Sequence, residues 1–199
     1  MMQRVRTAYW LILFATLLAG CTRSSGDSNG VAQREAPTQC GIERWDVKTL
    51  TDPAAERVNL TPSSATVEQL AALPVPAEFS RDAARLPAEF QTYTVTATLV
   101  EFKEEADNDI HLVILGTSGE SMIAEIPDPA CAQGSRVEAQ IARARARFVD
   151  IFGQPSRTSW NEVNASVTVT GVLFFDVHHG QKGVAPNAVE LHPVFDIGP

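Results

Sequence analysis

Positive charge is scarce in this sequence. The 199 residues include 16 Lys and Arg but 24 Asp and Glu, which gives a formal net charge of -8 at pH 7. Nucleic-acid phosphates and anionic lipid surfaces are both bound through Lys and Arg. The composition therefore argues against a nucleic-acid partner, and against adhesion of the protein surface itself to an anionic membrane.

The sequence also has no apolar run long enough to span a membrane with ease. Residues 8–18 are apolar, but a spanning helix needs about 20 such residues. This run follows two arginines and ends in Leu18-Ala19-Gly20-Cys21, so residues 1–20 have the organisation of a secretory signal peptide. The final tetrapeptide resembles the lipobox of bacterial lipoproteins. That resemblance implies that Cys21 is acylated and becomes the first residue of the mature protein.

A lipid-anchored protein of this kind is expected to lie in the cell envelope, held to a membrane by its acyl chains. Residue 22 is Thr, whereas Asp at this position favours inner-membrane retention in enterobacterial lipoproteins. By that resemblance the outer membrane, facing the periplasm, is favoured if the source has two membranes. The alternative is an ordinary signal peptide with a chance cysteine.

Cysteine is rare, with three in the chain. If Cys21 carries lipid, Cys40 and Cys131 form a pair in an oxidising compartment, where a disulfide is the expected state. The closed loop is long, and chain-entropy models give a stabilisation of about 4 to 5 kcal/mol. Two free thiols, or two metal ligands without partners, are the alternatives.

The composition changes along the chain and predicts four consecutive regions, of which the signal peptide, residues 1–20, is the first. After the signal peptide, residues 21–39 are rich in Ser, Gly and Asn and predict a flexible tether. Residues 40–90 contain five prolines within 53–87 and a capping box at Thr66-Val67-Glu68-Gln69. They predict an irregular extension with short helices, packed on the domain formed by residues 91–199.

Alternating apolar residues predict five strands in residues 91–199. They cover 92–103, 110–115, 121–126, 165–178 and 188–197, and helical spacing predicts a helix over 135–152. The apolar phase slips at Leu99-Val100, which indicates a bulge. The order β-β-β-α-β-β resembles that of the OB-fold, a five-stranded barrel with one core helix. We therefore predict a mainly β, α+β fold of OB-like type; another five-stranded barrel or an open sheet fits the same pattern.

The loop between the last two strands is the predicted binding element. OB-folds meet ligands at the loops joining strands one to two and four to five. Gly180, Gly183 and Pro186 constrain the backbone of this loop, and residues 165–197 resemble a segment of exported bacterial proteins of unassigned function. Its polar side chains are the candidate binding residues: His179, Gln181, Lys182 and Asn187.

No catalytic or metal-binding motif is complete in the sequence. Strands two and three lack the aromatic residues that stack bases, and no Gly-x-Ser-x-Gly stretch is present. Zinc needs three or four converging ligands, and the spacing of the histidines predicts surface or loop positions for His111, His178, His179 and His192. Residues 104–109 predict a solvated hairpin tip, and Asp176 and Glu190 a solvated rim. No metal and no cofactor are expected.

The arginines of the predicted helix are assigned to its solvent-facing side.

Taken together, the sequence favours a non-catalytic, membrane-anchored module that binds a protein, a peptide or a small ligand. Two alternatives stay open. One is a hydrolase or metal-dependent enzyme that uses His178, His179 and Glu190, and the other is a purely structural envelope component.

Overall fold

The computed structural model describes residues 39–74 and 80–199. The predicted signal peptide, Cys21 and all of the tether except Gln39 lie outside the described residues. Within the part that is described, no helix combines the length and apolar character needed to cross a membrane.

The described chain contains six strands and three α-helices. The strands are β1 (Asn59–Ala65), β2 (Gln91–Glu104), β3 (Ile110–Leu115), β4 (Ser121–Ile126), β5 (Asn161–Phe175) and β6 (Val189–Gly198). The α-helices are α1 (Trp45–Lys48), α2 (Val67–Ala71) and α3 (Glu138–Phe152), and short 3-10 turns cover Ala55–Arg57, Pro87–Phe90 and Pro129–Cys131. The predicted mixed α+β class is confirmed.

All six strands belong to one sheet, in the order β1-β2-β3-β4-β6-β5. β4 and β6 are parallel, and β2 also pairs with β5, so the pairings of β2 to β6 run in a circuit. The register of β2 shifts between Leu99 and Glu101, which confirms the predicted bulge.

β1 was not predicted, and it makes the sheet six-stranded and its order different from the predicted one. Its sequence includes Pro62, and most of its side chains are exposed, so no apolar alternation marks it. β1 pairs in parallel with Gln91–Val95 of β2. β3 covers the same edge of β2 only from Thr98 onward. A free edge on the first half of β2 is therefore what recruits β1.

The main core lies between the strands and is closed by two helices. Val95, Leu99 and Phe102 of β2 are fully buried within it. From α3, the ring of Phe148 meets that of Phe102 edge to face, with centroids 4.9 Å apart. From α2, Leu70 packs on the same core, and the predicted capping box between Thr66 and Gln69 begins that helix.

A second buried apolar cluster joins the extension to the outer face of the sheet. Val172 of β5 shares it with Leu50, Ala55 and Val58. Two buried arginines belong to the extension: Arg44 ties it to the sheet, and Arg85 ties parts of the extension to one another. Arg44 donates to Glu89 and to the Phe175 carbonyl, and Arg85 donates to Asp52 and to the carbonyls of Val47 and Glu89. The outer face of this part of the sheet is therefore covered by protein.

Gly171 allows β5 and β6 to approach closely where both registers shift. A Cβ at this position would lie 2.9 Å from the Pro193 carbonyl oxygen and 3.0 Å from Leu191 Cβ. Any side chain would push the strands apart. This approach places the segment of β6 that carries Glu190 and His192 firmly against β5.

Candidate functional site

Eight ionisable side chains gather beneath the extension, and we call them the ionic cluster. They come from α1, from the strands β3, β4 and β6, and from the residues that follow β2 and β5 or precede β3. The members are Lys48, Glu105, Asp109, His111, Glu125, Asp176, Glu190 and His192. Five are carboxyl groups and three are bases, so carboxyl groups are in excess.

The register of β3 against β4 places His111 beside Glu125. His111 of β3 and Glu125 of β4 are direct cross-strand partners, and Nδ1 of His111 lies 2.9 Å from Oε1 of Glu125. Nε2 of the same ring is 2.9 Å from the Lys182 carbonyl oxygen, to which it donates. Glu105 approaches this ring as well, at 3.5 Å from Nδ1.

His192 lies at the centre of the ionic cluster and is fully buried. Its Nδ1 is 2.9 Å from Glu125 Oε2 and 3.2 Å from Glu190 Oε1. Its Nε2 is 3.2 Å from Asp109 Oδ2, yet the two atoms do not have hydrogen-bonding geometry. Among the side-chain nitrogens and oxygens of the described residues, these two are the buried atoms without a hydrogen bond.

Lys48 brings positive charge from α1 to the two acidic residues near the ends of β5 and β6. Its Nζ is 3.1 Å from Asp176 Oδ2 and 3.9 Å from Glu190 Oε1. It also lies 5.2 Å from the ring centroid of Phe174, within cation–π range. The extension therefore contributes a charged group to the site as well as a cover.

Burial and mutual charge shift the pKa values of the carboxyl groups in opposite directions. Burial raises the pKa of Glu190 to about 7 and that of Asp109 to about 6, and it also raises the pKa of Glu105. Burial acts on Glu125 too, but hydrogen bonds from His111 and His192 outweigh it and hold its pKa well below the usual range. Glu125 is therefore the most strongly ionised of these four.

The three bases are held in their charged forms. Burial opposes protonation of His111, but the hydrogen bond and charge of Glu125 outweigh it and raise the pKa of His111 to about 9. Burial is likewise outweighed at His192 by its three carboxyl neighbours, and at Lys48 by Glu190 and its neighbours, so both pKa values rise. The bases thus remain protonated at neutral pH.

A pocket of about 270 Å³ opens beside the ionic cluster. Its lining combines the disulfide segment, the turn after β2 and the loop after β5, and consists of residues 39–43, Trp45, Lys48, residues 105–107, Glu125, Asp176, His179 and Gln181. Five of these side chains are carboxyl groups, against one lysine: Glu43, Glu105, Asp107, Glu125 and Asp176. Carboxyl groups therefore predominate in the lining, although Glu43 is paired with Arg81 and Asp176 with Lys48.

The predicted cysteine pair helps to form the wall of this pocket. Cys40 and Cys131 lie at disulfide-bonding distance, with their sulfurs 2.04 Å apart. Trp45 Nε1 donates to the Cys131 carbonyl oxygen at 3.1 Å. Gly41 packs directly on the ring, where a Cβ would lie 2.1 Å from Trp45 Cε3. Only glycine permits that contact.

The four residues of the predicted binding loop have different surroundings. His179 and Gln181 line the pocket, and Gln181 also bonds within the loop to Val177 and His179. Lys182 pairs with Glu101. Asn187 is buried and donates to the carbonyls of Leu70 and Leu73, so its amide ties the loop to α2.

The residues of the predicted enzyme alternative are not assembled into one site. Glu190 is buried in the ionic cluster, whereas His178 and His179 are exposed. Within the described part of the chain no ion pair joins Glu190 to either histidine. His179 Nε2 instead lies 3.9 Å from Asp176 Oδ2.

Several polar residues predicted to be solvated are buried. His111 and His192 were expected at the surface or in a loop, Asp109 at a solvated hairpin tip, and Asp176 and Glu190 at a rim, and all five are buried. Trp45 and Lys48 of the extension contact His192, Asp176 and Glu190. His111 is instead covered by Trp160 and by the Lys182 carbonyl of the loop after β5.

One helix arginine was also misplaced by the pattern. Arg145 of α3 was assigned to the solvent-facing side, but it is 5% exposed and donates to the Ile126 carbonyl oxygen at 3.1 Å.

A comparison with known proteins finds no family model, curated protein or solved structure that matches the chain. The chemistry of the site itself, carboxylate oxygens and imidazole nitrogens directed at common points, is suited to holding a cation.

Proposed function

We propose that this chain is a lipid-anchored protein of a bacterial cell envelope, and that its folded domain is a non-catalytic module that binds a small organic cation. The observation that carries the proposal is the lining of the pocket, which has five carboxyl groups and one lysine; outside the lining, Arg81 pairs with Glu43, and two histidines pair with Glu125. An excess of fixed negative charge in a concave, partly desolvated site attracts cations and repels anions.

The size and walls of the pocket specify the ligand further. Its volume of about 270 Å³ suits a small amine or a single basic side chain rather than a drug-sized molecule. Trp45 and Ile42 supply apolar and aromatic surface, and Ile42 is 80% exposed. An alkyl amine can place its charge among the carboxylates and its carbon chain against this wall.

The predicted binding loop supports the same assignment. His179 and Gln181, from the loop after β5, line the pocket together with the disulfide segment, residues 39–43. Hydrogen bonds of Gln181 and Asn187 hold the loop in shape. Binding is therefore assigned to the loop residues His179 and Gln181, with Asn187 as a residue that positions the loop.

We also propose that β2 to β6 form an OB-like barrel, with β1 as an added edge strand. Support comes from the circuit of pairings that closes through β2 and β5, and from the parallel pairing of β4 with β6. The position of α3 between β4 and β5 in the chain, packed on the core, agrees with this assignment.

The anchor is proposed from the lipobox at Leu18–Cys21, with the outer membrane, facing the periplasm, as the site in a diderm cell. A Cys40–Cys131 disulfide suits such an oxidising compartment. Cells fed labelled palmitate should incorporate it into the wild-type chain but not into Cys21→Ser, and the variant should leave the membrane fraction. Equal labelling of both chains would remove the anchor from the proposal.

The pocket is tested by calorimetry on the purified full-length chain in detergent. The probes are a series of alkyl monoamines and diamines, with alcohols of matched length as neutral analogues. We expect amines to bind and the alcohols to bind at least tenfold more weakly, because a charge-assisted hydrogen bond contributes about 1.5 to 3 kcal/mol. Equal binding of amines and alcohols, or no binding of any amine, would overturn the proposal.

A matched pair of variants locates the binding. Asp107→Asn removes a pocket charge but retains the oxygen that accepts from the Asp109 amide. Glu120→Gln removes a charge from an exposed turn outside the pocket. Amine affinity should fall about tenfold in the first variant and stay unchanged in the second; the reverse result would place binding elsewhere.

A further inference from the structure

We propose that Asp109, Glu125 and His192 bind one divalent transition-metal ion in the interior of the ionic cluster. This inference does not depend on the organic-cation pocket, because Asp109 and His192 do not line it. It also differs from the metal-dependent alternative predicted from sequence, which used His178, His179 and Glu190.

The positions of the ligand atoms suit one ion. One potential ligand atom from each of the three side chains lies within 4.8 Å of the other two. Metal–ligand bonds of about 2.0 to 2.2 Å require ligand atoms separated by about 3 to 4.4 Å. Asp109 Oδ2 lies at Nε2 of His192 and Glu125 Oε2 at Nδ1, so a common centre requires the Glu125 carboxylate or the imidazole ring to turn.

Two of these residues carry buried atoms without hydrogen bonds. Asp109 Oδ2 and His192 Nε2 face each other at 3.2 Å, are fully buried and have no hydrogen-bond partner. Buried polar atoms in folded proteins nearly always have one. Their only contact with each other is an ion pair without hydrogen-bond geometry, and an ion coordinated by both atoms would replace it and displace a proton from the imidazole.

Each ligand is oriented by a bond from its other polar atom. Asp109 Oδ1 accepts from the Asp128 amide at 3.2 Å. Glu125 Oε1 is held by His111 at 2.9 Å, which leaves Oε2 facing the His192 ring. His192 Nδ1 is within 3.2 Å of Glu190 Oε1. Such outer contacts are what orient carboxylates and imidazoles for metal binding.

Charge and access favour an ion here. The ionic cluster has five carboxyl groups against three bases, and Lys48 contacts Asp176 and Glu190 rather than the three proposed ligands. An extra cation reduces the excess of negative charge. Glu125 lines the pocket, which gives the ion a route from solvent.

The ligand chemistry selects the class of metal. One imidazole with two carboxylates suits zinc or manganese, whereas calcium and magnesium prefer oxygen ligands alone. The probes are therefore Zn²⁺ and Mn²⁺, with Ca²⁺ as the contrast. We expect one equivalent of Zn²⁺ or Mn²⁺ to bind to the EDTA-treated, full-length chain, and Ca²⁺ to bind at least 100-fold more weakly.

Three variants test which residues bind the ion, with calorimetry for affinity and circular dichroism for folding. Asp109→Asn and His192→Gln should each lower affinity at least 100-fold, and Glu190→Gln, which keeps all three ligands, about tenfold. His178→Gln changes an exposed histidine and should leave affinity unchanged.

Glu190→Gln keeps the test decisive if a ligand variant fails to fold, because it changes only the group that orients His192. Failure of Zn²⁺ and Mn²⁺ to bind the wild-type chain would overturn the proposal. So would wild-type affinity in a folded Asp109→Asn protein, or loss of binding in His178→Gln. The amine titration has its own readout, so either proposal can fail while the other stands.

Discussion

Two buried charged regions lie between the extension and the sheet, and they are constructed in different ways. In the first, which we call the arginine pairs, Arg44 contacts Glu89 and Arg85 contacts Asp52, one cation to each carboxylate. In the second, the ionic cluster, five carboxyl groups share three bases. The first region is balanced in charge, and the second is not.

Hydrogen bonding separates the two regions just as clearly. Arg44 also donates to the carbonyls of Ala83, Ala84 and Phe175, and Glu89 accepts from the amides of Leu86 and Phe175. In the ionic cluster two buried atoms have no hydrogen bond at all. A charge network that is fully satisfied stabilises a fold, whereas an unbalanced one in a pocket wall points to a binding site.

The largest expected effect on stability comes from removing the disulfide that ties the extension to the rest of the domain. Replacing Cys40 and Cys131 together by Ser opens a loop with a sequence separation of 91 residues. The free energy of unfolding should fall by about 4 to 5 kcal/mol, because the unfolded chain gains entropy. Urea unfolding under oxidising conditions measures it. A change below about 1 kcal/mol would show that packing and the arginine pairs alone hold the extension.

The next effect should come from the arginine pairs. Arg44→Met leaves the buried carboxylate of Glu89 without its cation, and we expect a loss of about 3 to 5 kcal/mol in the free energy of unfolding. Arg81→Met is the matched control, because its pair with Glu43 is exposed. The control should lose less than about 1 kcal/mol. Equal losses in urea unfolding would contradict the structural role of Arg44.

A substitution in the ionic cluster should change the free energy of unfolding less than one in the arginine pairs. Glu190→Gln replaces a carboxyl group whose pKa is about 7, so at pH 7 it removes only part of a negative charge, while keeping the shape and an oxygen for His192. In metal-free protein at pH 7, stability should change by less than about 1 kcal/mol. A loss as large as that of Arg44→Met, measured by the same unfolding experiment, would mean that the two regions are both structural.

The smallest effect concerns an exposed carboxylate that lies in neither region. Glu68 accepts from the Ser118 amide at 2.8 Å, and this bond is the main reason that its pKa falls to about 2. Since the folded pKa is below the usual 4.5, the stabilisation is present above pH 4.5 and disappears as pH falls towards 2. The melting temperature of Glu68→Gln should therefore be below that of wild type at pH 7, with a narrower gap at pH 3. A gap independent of pH would contradict this explanation.

Local features of the fold could be predicted from the sequence because their signals are local. The capping box at Thr66–Gln69, the bulge after Leu99 and the bounds of β3 and β4 all follow from neighbouring residues. β1 could not be predicted, since it forms only because β2 has a free edge. Pairing partners far along the chain leave no pattern within a strand.

The ionic cluster was missed for the same reason. Asp109, Glu125 and His192 lie close together because β4 pairs in parallel with β6. Lys48 lies on a four-residue helix, in a segment whose sequence shows no clear periodicity. One signal was available: His111 interrupts a strand whose other members are apolar, and Glu190 and His192 interrupt the apolar first half of β6. The extension was predicted to pack on this domain, but the sequence pattern did not show which strand residues it covers, so those positions were assigned to solvent.

Glu125 belongs to both proposed sites, and this shared residue makes their two ligands antagonists. A metal ion bound on the inner side of its carboxylate would withdraw negative charge from the wall that an amine faces. By thermodynamic linkage, each ligand then weakens the other by the same factor. The protein would release an amine when divalent metal becomes plentiful and take it up again when metal is scarce.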